Sequence, residues 1–194
     1  TGVAVACSAS CWIATTPCSS GVASGSASVS GCGPASTAGG PETGTLSDGS
    51  NSWPGDADLE NAIPVLNLGD TNNATYIEFD FVPLANTISF NFVFASEEYG
   101  GFQCTFTDAF AFLLTDTNTG VTTNLAIVPG TTDPISVLNV RDNAYNGGCP
   151  SVNEEYFAAY YGTPGGLPEV NSPTDFRGHT VSMAAQGTVI PNTT

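Results

Sequence analysis

The sequence predicts an all-β fold, an antiparallel β-sandwich of jelly-roll-like build, from three observations. Apolar and polar residues alternate with period two in several short segments. Proline and glycine recur about every ten residues, the spacing of turns between short strands. Helix signals are scarce, and no repeat of about 20–50 residues marks a solenoid.

Residues 1–50 are rich in Ser, Gly, Ala and Thr and poor in large apolar side chains. Such a stretch buries little surface, so an N-terminal segment stapled by Cys7, Cys11, Cys18 and Cys32 is expected. Within it, Val3, Val5 and Cys7 alternate as a strand would. Residues 51–194 carry the expected sandwich domain. Residues 57–63 can form a helical turn. Residues 76–82 (YIEFDFV) set Ile77, Phe79 and Phe81 against Glu78 and Asp80. Residues 88–94 (ISFNFVF) repeat the pattern, with 83–86 between them as a hairpin-like connection. Residues 109–114 and 125–128 read as further strands separated by the polar loop 116–120, and 135–140, 180–183 and 188–190 as shorter ones. Residues 154–161 read as a short helix.

Charge and cysteine usage set the compartment. The 194 residues include eighteen acids and two basic residues, Arg141 and Arg177, for a net charge of −16. Two cations cannot neutralise a nucleic-acid backbone or hold the chain on an anionic membrane. The longest apolar runs fall far short of the roughly 20 residues that span a bilayer, so no membrane insertion is expected. With 41% hydrophobic and 10% aromatic residues, the chain can build a core. Six cysteines without a C-x-x-C pair, and with His179 the only histidine, favour disulfides in an oxidising space over a metal site. Spacing only biases the connectivity. If the four N-terminal cysteines pair among themselves, Cys104 pairs with Cys149, a loop of about 45 residues worth about 4 kcal/mol. A chain opening on Thr1 without a leader reads as a mature secreted protein, extracellular and at the cell surface.

Three stretches carry a family resemblance: 54–59 (PGDADL), 92–99 (FVFASEEY) followed by 106–112 (FTDAFAF), and 126–131 (AIVPGT). In order and spacing they resemble the bacterial choice-of-anchor L domain, a module of secreted and surface-displayed proteins, over roughly residues 20–190. The resemblance implies an extracellular β-rich domain without established enzymatic activity, whose relatives differ in their attachment to the cell. Two departures stand out. The cysteine-dense first 32 residues do not resemble the family's usual start. Relatives also continue past 189–191 into another apolar strand, where this sequence stops at Thr194. A sheet short of a strand has an open groove, which a neighbour's extended segment can fill by donor-strand complementation. Residues 1–16, with Val3, Val5, Trp12 and Ile13, are the candidate donor; filling the gap within one chain is the alternative.

Acids supply the candidate metal site. Asp56 and Asp58 lie in one turn, with Glu97, Glu98 and Asp108 across the aromatic region. Carboxylates without basic neighbours repel unless a cation sits between them, so Ca2+ is the expected cofactor, with solvated surface acids as the alternative. Residues 116–120 lack the terminal Glu of a calcium loop, Ile127 standing at the twelfth position, and read as a hairpin turn. Paired acids such as Glu78 and Asp80, or Glu97 and Asp108, have no sign of a raised pKa in a cleft, and His179 has no nucleophile elbow to serve. No catalytic residue is expected. Tyr156, Phe157, Tyr160 and Tyr161 can stack on sugar or pack against the sheet. Asn73 and Asn192 begin N-x-Thr glycan acceptor motifs.

These readings converge on an extracellular structural subunit, a homo-oligomer assembling head to tail into a surface filament by donating a terminal strand. The alternative is a monomeric, calcium-stabilised adhesin or carbohydrate-binding module, with surface glycans as its partners.

Overall fold

A computed structural model describes residues 2–7, 11–13, 27–30, 55–63, 66, 70–72, 74–174 and 176–192. Among the described residues, eleven strands run in the order β1 (Gly2–Cys7), β2 (Cys11–Ile13), β3 (Ala27–Ser30), β4 (Thr75–Asp80), β5 (Thr87–Phe92), β6 (Phe94–Ser96), β7 (Phe110–Asp116), β8 (Val121–Asn124), β9 (Phe157–Tyr160), β10 (Gly178–Thr180) and β11 (Met183–Thr188). Among the described residues, one α-helix, α1 (Ala57–Ala62), precedes β4. A five-stranded sheet has the order β3-β4-β1-β7-β8; facing it are a four-stranded sheet, β2-β6-β10-β9, and the pair β11-β5. The strand pairings are antiparallel, and the all-β architecture follows the alternation in the sequence.

β7 organises the core because both of its faces are covered. Phe110 and Phe112 point into the main cluster with Phe92, Phe94, Tyr99, Val128, Ile135, Tyr160 and Met183. Their ring centroids lie 4.6 Å apart, and Phe92 approaches them at 5.5 and 5.3 Å. Edge and tilted contacts of this kind add to the area the rings remove from water. The alternate residues Ala109, Ala111 and Leu113 meet Leu59 and Ile63 of the α1 region on the other face. Small side chains on that face let the helix come close.

Several connections differ from expectation. β4 and β5 do not form a hairpin: β4 pairs with β1 and β3, and β5 pairs with β11. Pro83 cannot donate to a ladder, and the chain crosses there from one sheet to the other. Residues 88–94 are two strands, broken at Val93, where Phe94 N–H donates to the Thr180 hydroxyl at 3.0 Å in place of a ladder bond. Residues 125–128 and 135–140 are not strands. Pro129, Gly130 and Pro134 interrupt the pairing, leaving an excursion closed by Ile135 N–H to Ala126 O, 3.0 Å, with its apolar side chains still buried. Residues 154–161 are a 3-10 turn, Glu154–Tyr156, followed by β9, because Phe157 to Tyr160 pair with β10.

At 116–120 the turn is a hairpin between β7 and β8, as its polarity indicated. Asp116 Oδ1 accepts from Asn118 N–H at 2.9 Å and Oδ2 from the Thr119 hydroxyl at 3.0 Å. Gly120 closes it at φ 71°, a left-handed conformation that favours glycine.

The three strands of residues 1–50 all join strands from 51–194, so the boundary placed at residue 50 runs through shared sheets. β3 lies at an edge on β4, β2 pairs with β6, and β1 occupies the centre of the large sheet. In the single chain, β1 and β2 thus pair with strands of the same copy. Cys18 and Cys32 lie outside the described residues and only the backbone is described at Cys7 and Cys11, so the N-terminal staples fall outside them too.

Candidate functional site

β1 sits between β4 and β7 over its whole length. Gly2 lies opposite Asp80 on one side and Thr115 on the other; Cys7 lies opposite Thr75 and Phe110. Val3 is matched to Phe79 and Leu114, and Val5 to Ile77 and Phe112. The strand GVAVAC has no charge, proline or long side chain, so it enters a central slot with every backbone group available for pairing. Trp12 and Ile13 follow in β2, opposite Ala95 and Phe94 of β6. The segment therefore gives one strand to each of the two facing layers.

Where β1 ends and β2 begins, the structure gathers three of the five predicted metal-site acids. Ser96 is the hinge of the group: its hydroxyl accepts from Glu98 N–H at 3.0 Å and donates to Asp108 Oδ2 at 2.5 Å. Asp108 is 1% exposed, and burial pushes its pKa up to about 7, the Ser96 bond lowering it and the fields of Glu98 and Glu97 raising it further. Burial, then the charge of Glu97, also raises Glu98. Tyr99 places its hydroxyl in the core with no hydrogen-bond partner among the described residues, and burial followed by the Asp108 field pushes its pKa up.

Glu97 has a cation beside it, contrary to the expectation that these acids lack basic neighbours. Arg177 Nε donates to Glu97 Oε1 at 2.9 Å, and Arg177 N–H donates to Oε2 at 2.9 Å. The pair raises Arg177, whereas burial outweighs it at Glu97, whose pKa also rises. Two short bonds from one residue hold Glu97 as a carboxylate that accepts on both oxygens. No local pattern marks this pair, because its members are 80 positions apart.

Asp56 and Asp58 belong elsewhere. Asp56 caps α1, its Oδ1 accepting from Leu59 N–H at 2.8 Å, and Asp58 is exposed in the first turn of that helix. α1 packs on the face of β7 opposite the aromatic core. Among the described residues no group of three His, Cys, Asp or Glu is arranged to hold a metal ion.

Cys104 and Cys149 are joined in a disulfide with Cα atoms 5.8 Å apart, tying the loop 97–109 to the loop that follows residue 141. Tyr160 and Tyr161 are buried, and Tyr156 and Phe157 are half-buried against the core, so these rings pack rather than present a platform. His179 is half-buried on β10, with Nδ1 2.9 Å from Thr180 O and Nε2 3.4 Å from the Tyr161 hydroxyl. Asn192 is exposed in a turn at φ 60°, and Asn73 lies outside the described residues.

The family model for the choice-of-anchor L domain matches residues 14–194. The chain belongs to that family. No curated protein and no solved structure matches it. The choice-of-anchor L domain makes the chain a surface- or anchor-associated module, secreted or held at the surface, of a family that is structural rather than enzymatic. Among the described residues no helix is long and apolar enough to cross a membrane. The match begins one residue after β2 ends, so the two strands contributed by residues 2–13 lie outside the family-matched region whose sheets they complete.

Proposed function

We propose that this choice-of-anchor L protein is an extracellular structural subunit that assembles head to tail into a surface filament. The segment bearing β1 and β2 of one copy fills the slot between β4 and β7 of the next. The observation that carries this reading is the position of β1: a strand from outside the family-matched residues lies at the centre of the sheet, paired on both sides over six residues. Without it, β4 and β7 would face each other across two unpaired edges, a strong template for another extended chain. Residues 14–26 separate β2 from β3 and can span at most roughly 45 Å, enough reach to a neighbouring body. Exchange of identical strands keeps the same contacts while joining copies, and a non-closing arrangement propagates.

The test uses paired cysteines. Ala4 lies opposite Glu78, so Ala4→Cys with Glu78→Cys can form a cross-link between β1 and β4. In native polymers, exchange predicts a ladder of covalently joined copies under non-reducing denaturation, and filaments in electron micrographs. Cross-linked single chains alone would overturn the proposal.

A monomeric, calcium-stabilised module is the second reading. It is favoured by the buried Asp108 lying in the field of Glu98 and Glu97, a repulsion that a cation would relieve. It predicts a lower melting temperature in excess chelator; an unchanged curve would remove it. A glycan on Asn192 is proposed with either reading and would add hexose-scale mass that Asn192→Gln abolishes.

A further inference from the structure

We infer that the loop 97–107, through Phe102 and Phe106, is a second contact between copies of this chain. The inference rests on the strand-exchange reading and names a surface that reading leaves unassigned. Phe102 and Phe106 are 55% and 57% exposed, with ring centroids 5.8 Å apart. One helical-type turn sets them side by side: Thr105 N–H and Phe106 N–H donate to Phe102 O at 2.7 and 3.0 Å.

Other groups hold that turn in place. Gln103 is fully buried, its side-chain oxygen accepting from Gly100 N–H at 3.1 Å and its amide donating to Asp142 O at 2.9 Å. The Asn146 amide donates to Gly100 O at 3.1 Å, and the Cys104–Cys149 bond secures the middle of the turn. The two rings are therefore displayed on a braced support without serving the core themselves. Aromatic side chains fixed before binding lose little freedom on association and are enriched at interface centres.

Charge identifies the occupant. Residues 99–107 (YGGFQCTFT) contain no Asp, Glu, Lys, Arg or His, on a chain of net charge −16. Two copies repel each other over most of their surfaces and can approach on an uncharged patch. Position agrees with charge. Cys7 lies opposite Phe110 and Cys11 opposite Ser96, while the Ser96–Asp108 hydrogen bond closes the base of this same loop. The end of β1 and the start of β2 thus both lie at the loop base. When these strands come from a neighbour, the neighbour enters at the base of the loop that bears Phe102 and Phe106.

The test is the double variant Phe102→Ser/Phe106→Ser in the full chain, also bearing Ala4→Cys and Glu78→Cys. Exposed rings leave the melting temperature within a few degrees of the parent. At equal concentration, sedimentation and micrographs should show polymer reduced at least tenfold, while the residual assemblies still cross-link between copies; Phe102→Tyr/Phe106→Tyr should restore length. Full-length filaments from the serine variant would overturn the loop contact and leave strand exchange standing. If the cross-link forms only within single chains, strand exchange fails. The loop contact then survives only where the parent still self-associates in sedimentation and the serine variant does not; a parent that stays monomeric overturns both.

Discussion

The Ser96 hydroxyl donates to Asp108 Oδ2 at 2.5 Å, close to where β1 ends and β2 begins. It is the hydrogen bond to a carboxyl that burial has pushed up to about 7 from an ordinary 3.8. The folded protein thus holds a proton on Asp108 at pH values where the unfolded chain has released it. Its contribution to stability is fully present below pH 3.8 and is lost as pH rises through about 7. Asp108→Asn should flatten the fall of melting temperature between about pH 4 and 7. The linkage is on the order of a few kcal/mol, since each pKa unit is worth about 1.4 kcal/mol. Thermal melts across that range check it, and an identical pH slope in the variant would refute the assignment.

Glu97 and Arg177 tie the end of β6 to the start of β10 through two 2.9 Å bonds. Their side chains are 20% and 40% exposed, so solvent screens part of the attraction. Arg177→Ala should cost roughly 1–2 kcal/mol, because Glu97 stays half-buried with only a backbone donor left. Glu97→Gln keeps one acceptor for Arg177 and sets its NH2 against the other donor, yet it leaves no unpaired charge half-buried and should cost less. Denaturant melts of the two variants order the effects; equal losses would mean that charge, not geometry, dominates.

Strand identity was readable where local pattern suffices. The run 110–114 (FAFLL) marks β7 as apolar on both faces, and the structure covers both, with Phe92 and Phe94 on one side and α1 on the other. Partners were not readable. Residues 76–82 and 88–94 look like the arms of a hairpin, yet β4 takes β1 as its neighbour, a choice decided by contacts 68 to 78 positions away. The acid group was found in part: Glu97, Glu98 and Asp108 converge because β6 and β7 are adjacent to one loop, whereas Asp56 and Asp58 serve α1. Arg177 escaped notice because side-chain pairing between distant loops leaves no periodicity. Phe102 and Phe106 escaped because an exposed phenylalanine and a buried one look alike in a sequence.

Gly178 faces the Tyr99 side chain so closely that an added Cβ would lie 2.6 Å from Tyr99 Cβ. Tyr99 is itself 1% exposed and tilts against Phe157 at 4.8 Å, so it has no room to withdraw. Gly178→Ala should therefore destabilise by roughly 1–3 kcal/mol through overpacking. A denaturant midpoint unchanged from the parent would show that β10 can shift away from β6.

The disulfide between Cys104 and Cys149 closes a sequence separation of 45 residues and braces the loop bearing Phe102 and Phe106. Replacing both cysteines by serine should lower stability by about 3–4 kcal/mol in the chain-entropy treatment. The buried Gln103 and its two hydrogen bonds remain, so the loop should keep its position at low temperature and loosen first on heating. Hydrogen exchange at 100–107 compared with that of β7 measures this order. Loss of protection in the loop before β7 is the expected result, and simultaneous loss would mean that the loop and the core unfold as one unit.

Trypsin has two cleavage points in the sequence, Arg141 and Arg177, and both are held. Arg141 pairs with Val152 in both directions, N–H to O at 2.9 Å and O from N–H at 3.0 Å, while its side chain donates to Pro150 O and Leu138 O. Arg177 is bound to Glu97 through side chain and backbone. Cleavage needs a local stretch of extended, unpaired backbone, so the rate should follow the opening of these contacts. The native protein should survive trypsin for hours, and the reduced, denatured chain should yield three fragments from its two sites. Arg177→Ala leaves Arg141 as the sole site and removes the cation from Glu97, so slow cleavage at Arg141 should accelerate only if that ion pair stabilises the whole domain. Mass spectrometry of timed digests reads both effects: unchanged cleavage at Arg141 would confine the pair's influence to the junction of β6 and β10.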